Sequence, residues 1–80
     1  MGCTFTVADI ERICRSLGMS PLRKGHRVWR GIGPDLKVRV TAIHSHGRGR
    51  ELATGTARQI AKDLLFRDLE DMYLYLQGLV

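Results

Sequence analysis

Aromatic residues are scarce, with one Trp, two Tyr and two Phe among 80 residues. A domain with so few rings uses them first in its core, so Trp29 is expected to be a core residue before a platform for bases. Cysteine is rarer still. Cys3 and Cys14 form no C-x-x-C pair and are too few for a disulfide scaffold. Both are expected to be reduced thiols, and Cys14 falls in a helical apolar pattern where a small core residue fits. No apolar run approaches the ~20 residues that a membrane span needs. The opening stretch, with Val7, Asp9 and Arg12, has neither the basic flank nor the apolar centre of a signal peptide. A cytoplasmic protein with no membrane partner is therefore expected. The length points to one domain over residues 1–80, and a hydrophobic content of 44% excludes wholesale disorder.

Positive charge is present in excess and is unevenly placed. Thirteen Lys and Arg against eight Asp and Glu leave a net charge of +5. Residues 23 to 50 hold Arg23, Lys24, Arg27, Arg30, Lys37, Arg39, Arg48 and Arg50, opposed only by Asp35, for a local charge of +7. The remainder sums to −2, and the stretch from Asp63 is itself acidic. A basic centre between neutral or acidic helices points to one anion-binding face, with nucleic acid as the first candidate ligand. The alternative is a merely solvated surface.

Hydrophobic spacing outlines the elements. Val7, Ile10, Ile13, Cys14 and Leu17 recur at three- and four-residue intervals after Thr6, and Gly18 follows as a helix-ending glycine. Leu22 to Lys24 reads as a short strand after Pro21, His26 to Ile32 as a second, and Lys37 to Ile43 as a third. Gly33-Pro34-Asp35 reads as the turn of a hairpin between the last two. In the third strand Val38, Val40 and Ala42 alternate with Lys37, Arg39 and Thr41. The apolar set is expected to face the helices and the basic set to face water. Helix resumes at Thr54 to Thr56, with Ala57, Ile60, Ala61 and Leu64 on one stripe. A second stripe, Leu69, Met72, Tyr73 and Leu76, follows Asp68, a capping residue with Asp71 three places on. Leu65 to Arg67 is compatible with a break or with continuous helix. The order α-β-β-β-α predicts an α+β domain: a three-stranded antiparallel sheet, helices on one face and the other face open.

Three histidines offer chemistry. With Trp29 packed on the helices, strand alternation turns His26 and Arg30 toward the open face. Neighbouring cations favour the neutral imidazole, which can accept a proton. Beside a bound phosphate it could deprotonate a ribose 2′-hydroxyl while Arg or Lys stabilises the phosphorane. On these residues alone, an exposed histidine that only contacts phosphate is the simpler reading. His44-Ser45-His46 lacks the further ligands of a zinc site, with Glu51 the nearest carboxylate, so no metal or cofactor is expected. Gly47-Arg48-Gly49-Arg50, ahead of the helix start at Thr54, is either a phosphate seat or a plain loop. Arg58 and Lys62, one helical turn apart, could extend such a seat.

The run Lys24-Gly25-His26-Arg27-Val28-Trp29-Arg30, a strand followed by His46-Gly47, and the segment Glu51-Leu52-Ala53-Thr54-Gly55-Thr56-Ala57-Arg58-Gln59-Ile60 resemble the HicA family of toxin ribonucleases. The resemblance covers about residues 6 to 65, and its most specific part is the E-L-x-x-G-T-x-R-x-I pattern; residues 68 to 80 form a helical extension. It implies a double-stranded-RNA-binding-domain-like fold and a toxin of a type II toxin–antitoxin system. The implied activity is metal-independent endoribonuclease cleavage of mRNA, with a HicB-type antitoxin as partner. By position His26 matches the family's catalytic histidine and His46 a later, non-catalytic one. Gly25 stands where the family has Ser. Arg23, Lys24, Arg27, Arg30, Arg39, Arg48 and Arg50 are the expected RNA contacts. A non-catalytic RNA-binding module and a protein-interaction domain are the alternative readings, and the oligomeric state is left open.

Overall fold

The computed structural model describes residues 4–22, 28–43 and 49–79. The element order is α1 (Val7–Ser16), β1 (Ser20–Pro21), β2 (Val28–Ile32), β3 (Val38–Ala42), α2 (Thr54–Asp63) and α3 (Leu69–Gln77). This is the α+β, α-β-β-β-α arrangement expected, with the strands antiparallel in the order β1-β2-β3. No helix among the described residues is long and apolar enough to cross a membrane.

Local chemistry explains where α1 starts and stops. The Thr6 hydroxyl accepts from the Asp9 N–H, and the Asp9 carboxylate accepts from the Thr6 N–H, so two otherwise orphaned donors are satisfied. At the other end Met19 N–H donates to Cys14 O and Gly18 N–H to Arg15 O, with Gly18 at φ +77°. That double closure needs a left-handed residue, a conformation glycine adopts without a Cβ clash. One face of α1 then contributes Val7, Ile10, Ile13, Cys14 and Leu17 to the core. Burial, with the Glu11 charge adding, pushes the Cys14 thiol up to about 12, so it acts as a core residue and not a nucleophile.

The break after α2 repeats this closure with a less suitable residue. Leu65 N–H donates to Lys62 O and Phe66 N–H to Ala61 O, but the left-handed position at φ +67° is occupied by Leu65. The chain therefore turns at Leu65 and restarts at Asp68, whose carboxylate caps α3 by accepting from the Asp71 N–H. The Asp71 carboxylate reaches back to the Arg67 N–H. Along α3, Met72 and Leu76 are buried, while Leu69 and Tyr73 pack on the core edge. Tyr73 meets Phe5 edge-on at 6.1 Å, and Tyr75 shares a 2.6 Å hydrogen bond with Ser16. The extension is thus part of the hydrophobic core.

The strands differ from the expectation in position and in facing. β1 lies at Ser20–Pro21, two residues earlier than expected, where Ser20 pairs with Arg30 and Pro21 with Trp29. The hairpin closes through residues 33 to 37, and Ile32 pairs with Val38 at its base. Trp29 is fully buried, as expected. Thr41 pairs with Trp29 and Arg39 with Gly31, and residues directly opposite share a face. Arg39 and Thr41 therefore point toward the helices, while Val38 and Val40 stand in solvent, 53% and 46% exposed. The expected facing of β3 is inverted.

Leu65→Gly relieves the left-handed strain of a branched side chain that is half exposed. It is expected to raise stability by roughly 0.5–1 kcal/mol, read as a higher urea midpoint at unchanged slope. Leu65→Val, with β-branching at the same position, should lower it.

Candidate functional site

The expected site residues separate into distinct environments. His26, Arg23, Lys24, Arg27 and Arg48, with His44 and His46, lie outside the described residues. Arg30 and Arg50 are exposed. Arg30 stands at the centre of the open sheet face, opposite Val40 and Ser20.

Arg39 is 8% exposed and its donors are engaged. Its Nε donates to Leu64 O at 2.9 Å, and its Nη1 and Nη2 donate to the two Asp35 carboxylate oxygens at 2.7 and 3.0 Å. A Cβ at residue 33 would fall on this guanidinium, so the chain carries glycine there. Next along the strand, the Thr41 hydroxyl donates to Asp63, which also accepts from Gln59. The inner surface of β3 is therefore a polar seam joined to the C-terminal end of α2. Arg39 is withdrawn from the set of RNA contacts: it is a buried cation already paired with a carboxylate and bonded to a helix-end carbonyl.

Among the described residues the open face of the sheet is apolar with one cation. Leu22, Ile32, Val38 and Val40 are exposed on it, Val28 and Ala42 are half-buried, and no carboxylate lies on it among the described residues. Of the basic residues expected there, Arg30 is on this face, Arg39 is turned inward, and Arg23, Lys24, Arg27 and Arg48 lie outside the described residues. Inverting β3 moved Arg39 inward and brought valines out. The Arg15 guanidinium lies 5.4 Å from the Trp29 ring centre, so this cation covers the indole instead of facing a ligand.

The segment from Glu51 to Ile60 links the sheet-side loops to α2. Glu51 bridges Thr6 and Leu52 N–H donates to Phe5 O, tying this segment to the chain ahead of α1. Ala53 begins α2 without a side-chain cap, and no acidic residue occupies the first turn. The helix start is thus open to an anion on electrostatic grounds. Ala57 and Ile60 face the core, and Arg58 and Lys62 face solvent. Sequence reasoning missed the cluster around Arg39. The signal available was the hairpin register: five connecting residues pair odd positions with odd, and inward Trp29 then carries Arg39 and Thr41 inward.

Arg39→Met should destabilise the fold by about 2 kcal/mol, because Leu64 O loses its buried donor. Arg30→Met, on the solvent side, should stay within about 0.5 kcal/mol of wild type. The Arg39 guanidinium, followed by the Lys37 N–H, lowers Asp35 from 3.8 to about 2. A depressed carboxylate contributes stability that is present above the unfolded value and lost as pH falls through the folded one. Acid unfolding of wild type should therefore steepen between about pH 4 and pH 2, and Asp35→Asn should flatten that window.

Against protein-family models, curated proteins and solved structures, the chain has no match.

Proposed function

We propose that this chain is a metal-independent endoribonuclease acting on mRNA as the toxin of a toxin–antitoxin pair. The observation that carries the reading is the physical role found for each residue of the E-L-x-x-G-T-x-R-x-I segment. Glu51 and Leu52 pair with the chain ahead of α1, Gly55 and Thr56 form the first turn of α2, Ile60 is core, and Arg58 stays exposed. The order of helices and strands agrees with the fold that the HicA resemblance implies. The excess of positive charge suits a polyanionic substrate.

In the proposed reaction the His26 imidazole takes the proton of a ribose 2′-hydroxyl, and that oxygen attacks the adjacent phosphorus. The P–O5′ bond breaks, the 5′-oxygen takes up a proton, and a 2′,3′-cyclic phosphate remains. Arg30, Arg50 and the basic residues flanking His26 neutralise the charge that grows on the phosphorane. His26→Ala is expected to abolish cleavage of labelled single-stranded RNA in the presence of EDTA, with RNA affinity kept within a few-fold. Cleavage at the wild-type rate by this variant would remove His26 from the mechanism.

The open sheet face favours a second reading, in which the domain binds a protein. Four exposed aliphatic side chains around Arg30 form a surface suited to an apolar partner carrying a carboxylate, as an antitoxin of the HicB type would need. Val40→Lys should weaken such a partner at least tenfold in a calorimetric titration. An unchanged affinity would take the sheet face out of the interface.

A further inference from the structure

The helical side of the molecule carries a cleft that the sheet-centred reading does not use. It encloses about 630 Å³ between the exposed flank of α2 and the turn into α3. Arg58 and Lys62 lie along one wall and Arg67 on the turn, while Phe66, Ala61 and Leu69 supply the apolar lining. None of the three cations has an ion-pair partner among the described residues. The Asp68 carboxylate at the rim is occupied in capping α3, leaving Glu70 as the carboxylate without such a task.

We propose that this cleft is a binding groove for single-stranded RNA. The inference rests on the reading of RNA as substrate and adds where the strand runs. Arg58 and Lys62 are four residues apart, so their Cα atoms are separated by about 6 Å along the helix axis. That rise is comparable with the step between successive phosphates of an extended strand. Phe66 is half-buried, its ring tilted against Tyr75 with centroids 5.3 Å apart, and it lines the cleft beside those cations. A row of cations along a backbone path next to a ring for an unpaired base is the chemistry by which single strands are held without sequence preference. A base-paired duplex offers no free base to the ring, and an acidic peptide has no phosphate row to match the spacing of the cations.

The groove is tested with the full chain and a fluorescent 2′-O-methyl RNA 12-mer, which lacks the attacking hydroxyl and so survives incubation. Affinity is followed by anisotropy across a salt series. Arg58→Ala with Lys62→Ala is expected to weaken binding about tenfold at low salt. The same pair should reduce the slope of log affinity against log salt by about 1.4, for two lost phosphate contacts. Phe66→Leu is expected to weaken binding about fivefold with the slope unchanged. Arg12→Ala with Lys37→Ala removes the same charge outside the cleft and should leave the slope unaltered.

Equal losses from the two double variants would overturn the groove, as would full displacement of the RNA by polyglutamate at matched charge. If the cleft variants bind as wild type does, the groove is wrong, while wild-type cleavage of unmodified RNA would still uphold the ribonuclease. Failure of wild type to bind the oligomer also overturns the groove. The cleavage assay on unmodified RNA then decides the ribonuclease separately.

Discussion

The guanidinium of Arg39 ties the β2–β3 hairpin to the end of α2, 25 residues further along the chain. It takes the Asp35 carboxylate of the hairpin with two hydrogen bonds, fills the space over Gly33, and donates to Leu64 O at the C-terminal end of α2. A buried cation is tolerated only where its donors are satisfied, and here a carboxylate and the negative end of a helix do so together. The consequence is geometric. With Arg39 inside, β3 must present Thr41 to α2 and its valines to water, and the hairpin is held against the helix layer.

That constraint separates the chemistry of the two sides of the domain. The inner layer joins an apolar core, built on Trp29, Ile10, Ile13, Phe5 and Ile60, to a polar seam of Arg39, Thr41 and Asp63. The outer sheet face is an aliphatic surface with Arg30 in its middle. Among the described residues this face offers one cation in an aliphatic surround. The helical flank has the opposite character, with cations at one-turn spacing beside a ring.

In the proposed function the helical flank would hold the RNA strand, while the sheet face carries Arg30 beside the exposed aliphatic side chains. α2 connects them: its buried stripe of Ala57, Ile60 and Ala61 anchors it in the core, its C-terminal end receives Arg39, and its outer flank lines the cleft. A helix held at its end by a charge-assisted bond presents its cations at fixed positions, which would limit the entropy lost on binding in the proposed groove.

The helices were legible because their signals are local. The Thr6–Asp9 capping pair, the glycine at position 18, the periodic stripes and the Asp68 cap each act within one or two turns, so sequence spacing outlined the helical stripes and their buried faces, while the break at Leu65 between α2 and α3 was left open. The hairpin turn was equally local. Two features were not. Strand alternation says which residues share a face and leaves open which face is buried, because Val38 with Val40 and Arg39 with Thr41 both satisfy a period of two. That choice was made by Trp29 across the strand pair and by a carbonyl 25 residues away at Leu64, neither of which is a neighbour in sequence. The cleft likewise requires α2 and the turn into α3 to meet in space. The sequence by itself determined the elements, their order and the excess of positive charge. Tertiary structure decided which of those charges among the described residues are buried and which stay exposed, because burial and hydrogen-bond satisfaction are settled only when distant segments pack.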